Sequence, residues 1–272
     1  MLFYNRVGLD DLNNIALQSL GAVLTPEDQE RLTQYRRKWN FYEGYHWEAI
    51  AASDKPEVTI NYCRLFVNKF VSFEFGKGFS IKMLPNVEKI DGENDPLDFL
   101  NEVWRYNKKE KLLVEFGQTK SITGDGFIGV FFEPKDIIDD PFDEYPNGKI
   151  RIIPLPSSIC FPEYADSYDK DQMISFTIMY PVPINDSNQG IFRKNKVRFE
   201  IYKQVWTKER VEYWEGKVLK QTLPNKYGII PIVHIKNLPL HGKTMGQGDL
   251  DDIIPINTEY NLKKSDISEI ID

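Results

Sequence analysis

The chain has 272 residues, 41% of them hydrophobic and 28% charged, the balance of a globular protein long enough for one large core or two small ones. Lys and Arg total 34 against 41 Asp and Glu, a formal net charge of −7 with both signs mixed along the chain. That excludes a protein that grips nucleic acid over its whole surface, which needs clustered cations, and leaves room only for transient contact with DNA at a few basic positions.

Two distant cysteines, Cys63 and Cys160, form no disulfide framework and no zinc motif, which fits a reducing, cytoplasmic birthplace. No apolar run approaches the ~18 residues of a membrane span. The opening "MLFYNRVGLDDLNN" lacks the basic and apolar regions of a signal peptide.

Residues 1–25 are weakly patterned and read as an N-terminal arm. In "TPEDQERLTQYRRKWNFYEG", Thr25 caps, Pro26 suits the first helical position, and Glu27 and Asp28 suit the positive helix end. A helix is predicted from Pro26 to Glu43, stopped by Gly44. Its middle is basic (Arg31, Arg36, Arg37, Lys38) and its end aromatic (Trp39, Phe41, Tyr42, then Tyr45 and Trp47).

In "INYCRLFVNKFVSFEFGKG", Asn61 caps and Phe66, Phe70 and Phe73 recur at helical spacing. Val71, Phe73 and Phe75 also alternate like a strand, which leaves the end of this element open. "DPLDFLNEVWRYN" repeats the Asp-Pro start, with Leu97, Leu100 and Trp104 on one face, and a helix of about Lys108 to Ile122 follows.

From Gly126 to Lys236 the chain reads as β: "FIGVFF", "KIRIIPLP", "QMISFTIMYPV", "VRFEIYKQVW", "RVEYWEGKVL" and "IIPIVHIK", separated by turn residues. Glu215-Gly216 is a tight hairpin turn. Asp249 opens a final helix that runs to the terminus, kinked or restarted by Pro255. Ile253, Tyr260 and Ile267 lie seven apart and give it an apolar face. The fold class is α+β: an arm at 1–25, an α+β body at 26–236, and a loop with a helix at 237–272.

Two glycine stretches imitate nucleotide motifs. Gly242-Lys243-Thr244 follows an apolar strand, as in a phosphate loop of a nucleotide-binding enzyme. That loop needs Gly where Asn237 stands, and a helix starting at the Lys, whereas Met245-Gly246-Gln247-Gly248 follows. Gly124-Asp125-Gly126-Phe127-Ile128-Gly129 has the letters of a dinucleotide fingerprint, but a helix precedes it and a strand follows, the reverse of what is needed. Both read better as loops.

The run of Asp136, Asp139, Asp140, Asp143 and Glu144 lacks the spacing of a calcium loop and reads as a solvated hairpin. His46, His234 and His241 stand isolated, and His234 sits in an apolar strand where packing is the simpler role. No catalytic, cofactor or metal residues are predicted. The aromatic cluster Trp39, Tyr42, Tyr45 and Trp47, mixed with Arg, is balanced between core and subunit contact. Lys263 and Lys264 interrupt the last apolar stripe and are either solvated or touch a polyanion or a neighbour's acids. That helix has no Gly or Asn stop, and Glu269 and Asp272 oppose its dipole, as expected of a fragment or of a helix completed by a partner.

Taken in order, several stretches resemble the front half of a tailed-bacteriophage portal, or head–tail connector, protein. "YEGYHW" resembles the Tyr-x-Gly-x-His ending that family's first helix. "TINYCRLFVNKFVSFEFGKGFSI" resembles its Asn-led helix and turn, and "TGDGFIGVFF" with "IRIIPLPSSICFPEY" its turn and strands. "NKYGIIPIVHIKNLP" resembles the Gly-x-x-Pro strand, and "GQGDLDDIIPINTEYNLKKSDISEIID" the Gly-x-Ser-Asp-Leu helix. The likeness covers Tyr42 to the end.

Gly248 stands where that family usually has Ser, at the expected cost of a cap alone. Portals are also usually longer, so the channel loop and crown are expected to be missing. The resemblance implies a portal-like wing domain of helices and antiparallel sheets leading into a stem-type helix. It implies a ring, usually of twelve copies, at one capsid vertex of the virion, assembled in the host cytoplasm. Its partners would be the major capsid protein, scaffold, the terminase large subunit and a head–tail adaptor, with double-stranded DNA passing transiently through the channel. Neither a cofactor nor a membrane is implied, and the motor, not this chain, would hydrolyse ATP. The alternatives are a phosphate-loop enzyme using Gly242-Lys243-Thr244, or another virion adaptor module.

Overall fold

The structure, a computed structural model, describes residues 24–47, 57–82, 95–138, 145, 147–165, 172–184 and 198–271. Most of the predicted arm and the acids Asp139, Asp140, Asp143 and Glu144 lie outside the described residues. The elements are α1 (Pro26–Glu43), α2 (Tyr62–Phe75), α3 (Pro96–Tyr106), α4 (Lys109–Thr123), β1 (Asp125–Glu133), β2 (Lys149–Leu155), β3 (Cys160–Tyr164), β4 (Met173–Ile184), β5 (Arg198–Trp206), β6 (Arg210–Glu215), β7 (Val218–Pro224), β8 (Ile232–Lys236) and α5 (Leu250–Ile271). The class is α+β, as the order of patterns predicts.

Capping chemistry places the helices. Thr25 Oγ1 accepts the amide of Asp28 at 3.2 Å, and Gly44 closes α1 at φ 104°. Asn61 Oδ1 accepts the amide of Arg64 at 2.8 Å and starts α2, which stays helical to Phe75. The strand-like alternation at its end loses because Cys63, Val67 and Val71, one ridge at i, i+4 and i+8, are the residues it buries. α5 is one helix with Pro255 inside its second turn.

All strand pairing is antiparallel, in a three-stranded sheet ordered β2-β1-β8 and a five-stranded sheet ordered β3-β4-β5-β6-β7. β3, a five-residue strand, forms from the end of "IRIIPLPSSICFPEY", after the strand β2 at its start. Gly216, at φ 55°, makes the predicted turn between β6 and β7. The inner faces of the two sheets share one core, with the rings of Phe127 and Phe176 5.6 Å apart and edge to face.

A second core lies among the helices: Phe41 of α1, Cys63, Val67 and Val71 of α2, Ile122 of α4, and Leu250 and Ile254 of α5. α1 joins the two, because its Leu32 and Tyr35 pack on Phe161 and Met179 of the larger sheet.

Candidate functional site

The two glycine-rich decoys are one structural feature. Asn237 donates to the carbonyl of Gly124 at 2.8 Å, and Asp249 to that of Ser121 at 2.8 Å, so the loop before α5 crosses the α4–β1 turn backbone to backbone. A Cβ on Gly246 would lie 2.4 Å from the carbonyl oxygen of Gly124, and one on Gly248 2.5 Å from that of Ile122. Glycine at 248 is therefore a packing requirement, which corrects the expectation that it costs only a cap. Leu238 and Gln247 pair across this loop, and Gly242-Lys243-Thr244 forms its tip. The amide of Lys243 bonds to Leu240 O at 3.1 Å, and α5 begins only at Leu250, so the amides that would cradle a phosphate are not gathered at a helix start.

Below the crossing sits a buried polar chain. Asp125, 1% exposed, accepts from Tyr35 Oη at 2.7 Å, from His234 Nε2 at 2.8 Å and from the Gly246 amide at 2.8 Å. The Tyr164 hydroxyl reaches His234 Nδ1 on the far side, and the imidazole stacks on Phe127 with centroids 4.5 Å apart. The chain ties α1, β1, β3, β8 and the loop together. His234 is packed, as its apolar strand suggests, and is also hydrogen-bonded at both nitrogens.

A third arrangement holds α5 to the segment entering α2. Asn257, Asn261 and Ser265, each 1% exposed, form a polar ridge at i, i+4 and i+8. Ser265 Oγ accepts from the amide of Val58 at 3.1 Å and Asn261 Oδ1 from that of Ile60 at 3.1 Å. Asn257 Oδ1 accepts from the amides of Tyr62 and Cys63, while its Nδ2 donates to Ile60 O at 2.9 Å. The ridge satisfies a backbone segment that has no strand partner among the described residues.

Asn261 Nδ2 also donates to His46 Nδ1 at 2.8 Å. His46 Nε2 donates to Phe41 O at 2.9 Å, which fixes the neutral tautomer with the proton on Nε2. Burial lowers the His46 pKa below its ordinary value, against the opposing pull of that carbonyl. Sequence reading passed over this ridge. Its signal was polar residues four apart in "NTEYNLKKS", a pattern that reads as a solvated face until a backbone lies against it.

The apolar helix face seen in α2 points outward, whereas the one seen in α5 is divided: Ile253 packs on the helical core, Tyr260 is half-buried and Ile267 is exposed. On α2, Phe66 is 41%, Phe70 42% and Phe73 83% exposed. On α5, Ile256 is 69%, Ile267 48% and Ile270 83% exposed. The seven-apart face of Ile253, Tyr260 and Ile267 is real, but the deeply buried ridge is Leu250, Ile254, Asn257, Asn261 and Ser265. The two stripes join where Tyr62 meets Tyr260 edge to face at 5.3 Å, and Phe66 stacks on Phe70 at 6.1 Å.

The four predicted anchors divide. Trp39 and Tyr42 are half-buried against the helical core and meet edge to face at 5.7 Å. Trp47 Nε1 donates to Thr59 Oγ1 at 2.8 Å. Tyr45 is 56% exposed. Lys263 pairs with Glu259 at 2.5 Å, and the ammonium of Lys264 lies 5.7 Å from the Tyr260 ring centroid.

Among the described residues no His, Cys, Asp and Glu group could hold a metal ion, and no helix is long and apolar enough to cross a membrane. What this arrangement offers is surface: a body with two main cores whose helices expose apolar stripes among the described residues. The sequence profile described as phage portal protein, SPP1 Gp6-like, matches residues 22–272. Among curated proteins nothing matches the chain.

Proposed function

Because the chain belongs to the phage portal protein family, SPP1 Gp6-like, we propose that it is one subunit of a ring at a capsid vertex through which the phage genome passes. Membership carries a structural role in the virion, and the family's members self-assemble and associate with capsid and packaging machinery. In our reading the ring lines the channel for DNA packaging and ejection. It docks the terminase motor first and head-completion proteins later.

The observation that carries the ring reading is the outward apolar stripe running from Phe70 through Phe66, Tyr62 and Tyr260 to Ile267. A helix normally turns its apolar face to the core. Here two neighbouring helices bury their less apolar ridges and leave the aromatic ones outside, the pattern of a surface that another chain covers. Tyr45 extends this contact as an exposed anchor, and Lys263, paired with Glu259 in its own chain, and Lys264 stand beside it as contacts for a polyanion or a neighbour. Trp39, Tyr42 and Trp47 support the surface from behind, through the contacts they make within the chain.

The net charge of −7 suits a channel wall that passes DNA without holding it. Negative-stain images of the purified chain test the reading. Annular particles with a central hole are expected, and light scattering that gives only single chains at every concentration would overturn it.

A further inference from the structure

α5 is fastened in two different ways. Its first turns set Leu250 and Ile254 into the helical core. Beyond Ile254 its deeply buried positions are polar, Asn257, Asn261 and Ser265, while Ile256, Ile267 and Ile270 are exposed. The far half of the helix is therefore fixed to residues 58–63 by hydrogen bonds, with the Tyr62–Tyr260 ring contact beside them. Such bonds trade for bonds to water at small net loss, which an apolar contact cannot do.

Asn261 is the member of this row whose bonding depends on a proton. Its amide is committed in both directions, Oδ1 to the Ile60 amide at 3.1 Å and Nδ2 to His46 Nδ1 at 2.8 Å. His46 commits its own proton, on Nε2, to Phe41 O at 2.9 Å, and its ring stacks on that of Phe41 with centroids 4.8 Å apart. A proton added at Nδ1 sets N–H against N–H. Turning the Asn261 amide over would offer its oxygen to the imidazolium but set NH₂ against the Ile60 amide. In either orientation a buried donor loses its acceptor, and parting α5 from the body lets water supply the missing one.

We propose that His46 and Asn261 form a proton-sensitive latch, closed on the neutral imidazole and opened by its protonation, which frees α5 beyond Ile254 while both cores stay packed. Among the described residues, the charged side chains flanking these contacts are Arg37, Lys38 and Glu43 of α1, Glu57 ahead of α2, Arg64 of α2 and Lys264 of α5. Arg37 lies over the Phe41 ring, Lys38 is paired with Asp251, Arg64 is turned to the carbonyls of Tyr42 and Glu43, and Lys264 lies over Tyr260. Burial lowers the His46 pKa against the pull of the Phe41 carbonyl, so neither carboxylate offsets a charge on the ring. The Tyr42, Tyr62 and Cys63 values are raised, and these groups stay neutral throughout. Once free, the imidazole regains a value near 6.5, so the open form binds more protons and gains population as pH falls below about 6.5.

Thiol labelling in the full chain tests the latch. Ser265→Cys places a thiol in the fastened row, where the side chain is buried. The native Cys63 lies in the helical core and Cys160 in the inter-sheet core, so they report the loss of either core. All three are labelled with a pyridyl disulfide from about pH 7.5 to about pH 5, and each rate is divided by that of the urea-unfolded chain at the same pH. As pH falls below about 6.5, the rate at position 265 should rise several-fold while Cys63 and Cys160 stay protected. Adding His46→Gln keeps a donor for Phe41 O and an acceptor for Asn261 without a titrating group, and should flatten the profile. Adding Asn261→Asp should invert it, because a carboxylate accepts from Ile60 and from the imidazolium together, so acid tightens the latch.

A flat profile in Ser265→Cys alone, an equal rise with His46→Gln, an acid rise kept with Asn261→Asp, or labelling of all three thiols together each overturns the latch. Hydrogen exchange along residues 261–271 of the chain without substitutions gives a second reading that no new thiol can disturb. Protection that falls in acid supports the latch, and unchanged protection overturns it. The latch lies within one chain, so none of these outcomes touches the portal reading.

Discussion

At the scale of single residues, two buried polar centres hold the chain, and each makes a measurable prediction. His46 is bonded to a carbonyl and an amide, neither of which titrates. Its pKa is lowered by burial, so between the folded value and the unfolded value near 6.5 the unfolded chain binds more protons. The stability it supports is therefore present above about pH 6.5 and is lost as pH falls from there toward the folded value. Urea unfolding across that window should show stability rising with pH through this group, a dependence absent in His46→Gln.

Asp125 accepts from Tyr35, His234 and Gly246. Asp125→Asn turns an NH₂ toward donors at one of these positions and should cost about 3 kcal/mol in the same measurement. The aromatic anchors separate just as cleanly. Trp39→Ala should lower monomer stability by about 2 kcal/mol through lost packing. Tyr45→Ala, at an exposed site, should leave stability within about 0.5 kcal/mol and weaken only assembly.

At the scale of elements, the loop before α5 and α5 itself were the parts least legible in the sequence. The letters Gly-Lys-Thr mark the loop tip, but the constrained residues are Gly246 and Gly248, three and five positions after Lys243 and pressed on the α4–β1 turn. Lys243→Ala should therefore change neither melting nor assembly and should abolish no nucleotide binding in a titration with Mg-ATP. Gly248→Ala should cost about 2 kcal/mol by forcing the crossing backbones apart.

The helix ends at Thr25, Asn61 and Gly44 were legible because a cap is a local bond between residues a few positions apart. The Asn257-Asn261-Ser265 ridge was not. Its partners at residues 58–63 are about 200 positions away, as the separation of 201 between Ile60 and Asn261 shows. Composition gives no hint of such a distant bond.

At the scale of the whole molecule, the exposed apolar faces point to assembly more than to chemistry. A contact whose centre is apolar is screened little by salt, so light scattering between 50 mM and 500 mM salt should show a half-assembly concentration that holds or falls; a steeply rising one would mean that charge pairs carry the contact. The same sequence that predicted a strand-rich body could not say which strands needed cover on both faces. An uninterrupted apolar run reads alike whether its second face meets a helix of its own chain or a neighbour.

What the amino-acid order determined by itself was local and periodic: the capped starts of α1, α2 and α3, the succession of strands with its Gly216 turn, the α+β class, and the ordered motifs of a phage portal. These follow from bonds and alternations within a few residues. Only the tertiary structure decided which face of each helix is inside, because burial is a competition between faces. On α2 the ridge of Cys63, Val67 and Val71 won over three phenylalanines, and on α5 two asparagines and a serine, in line with Leu250 and Ile254, won over Ile256, Ile267 and Ile270, since only they satisfy the backbone lying against them. The outward stripe is the consequence, and it is the surface on which the proposed assembly turns.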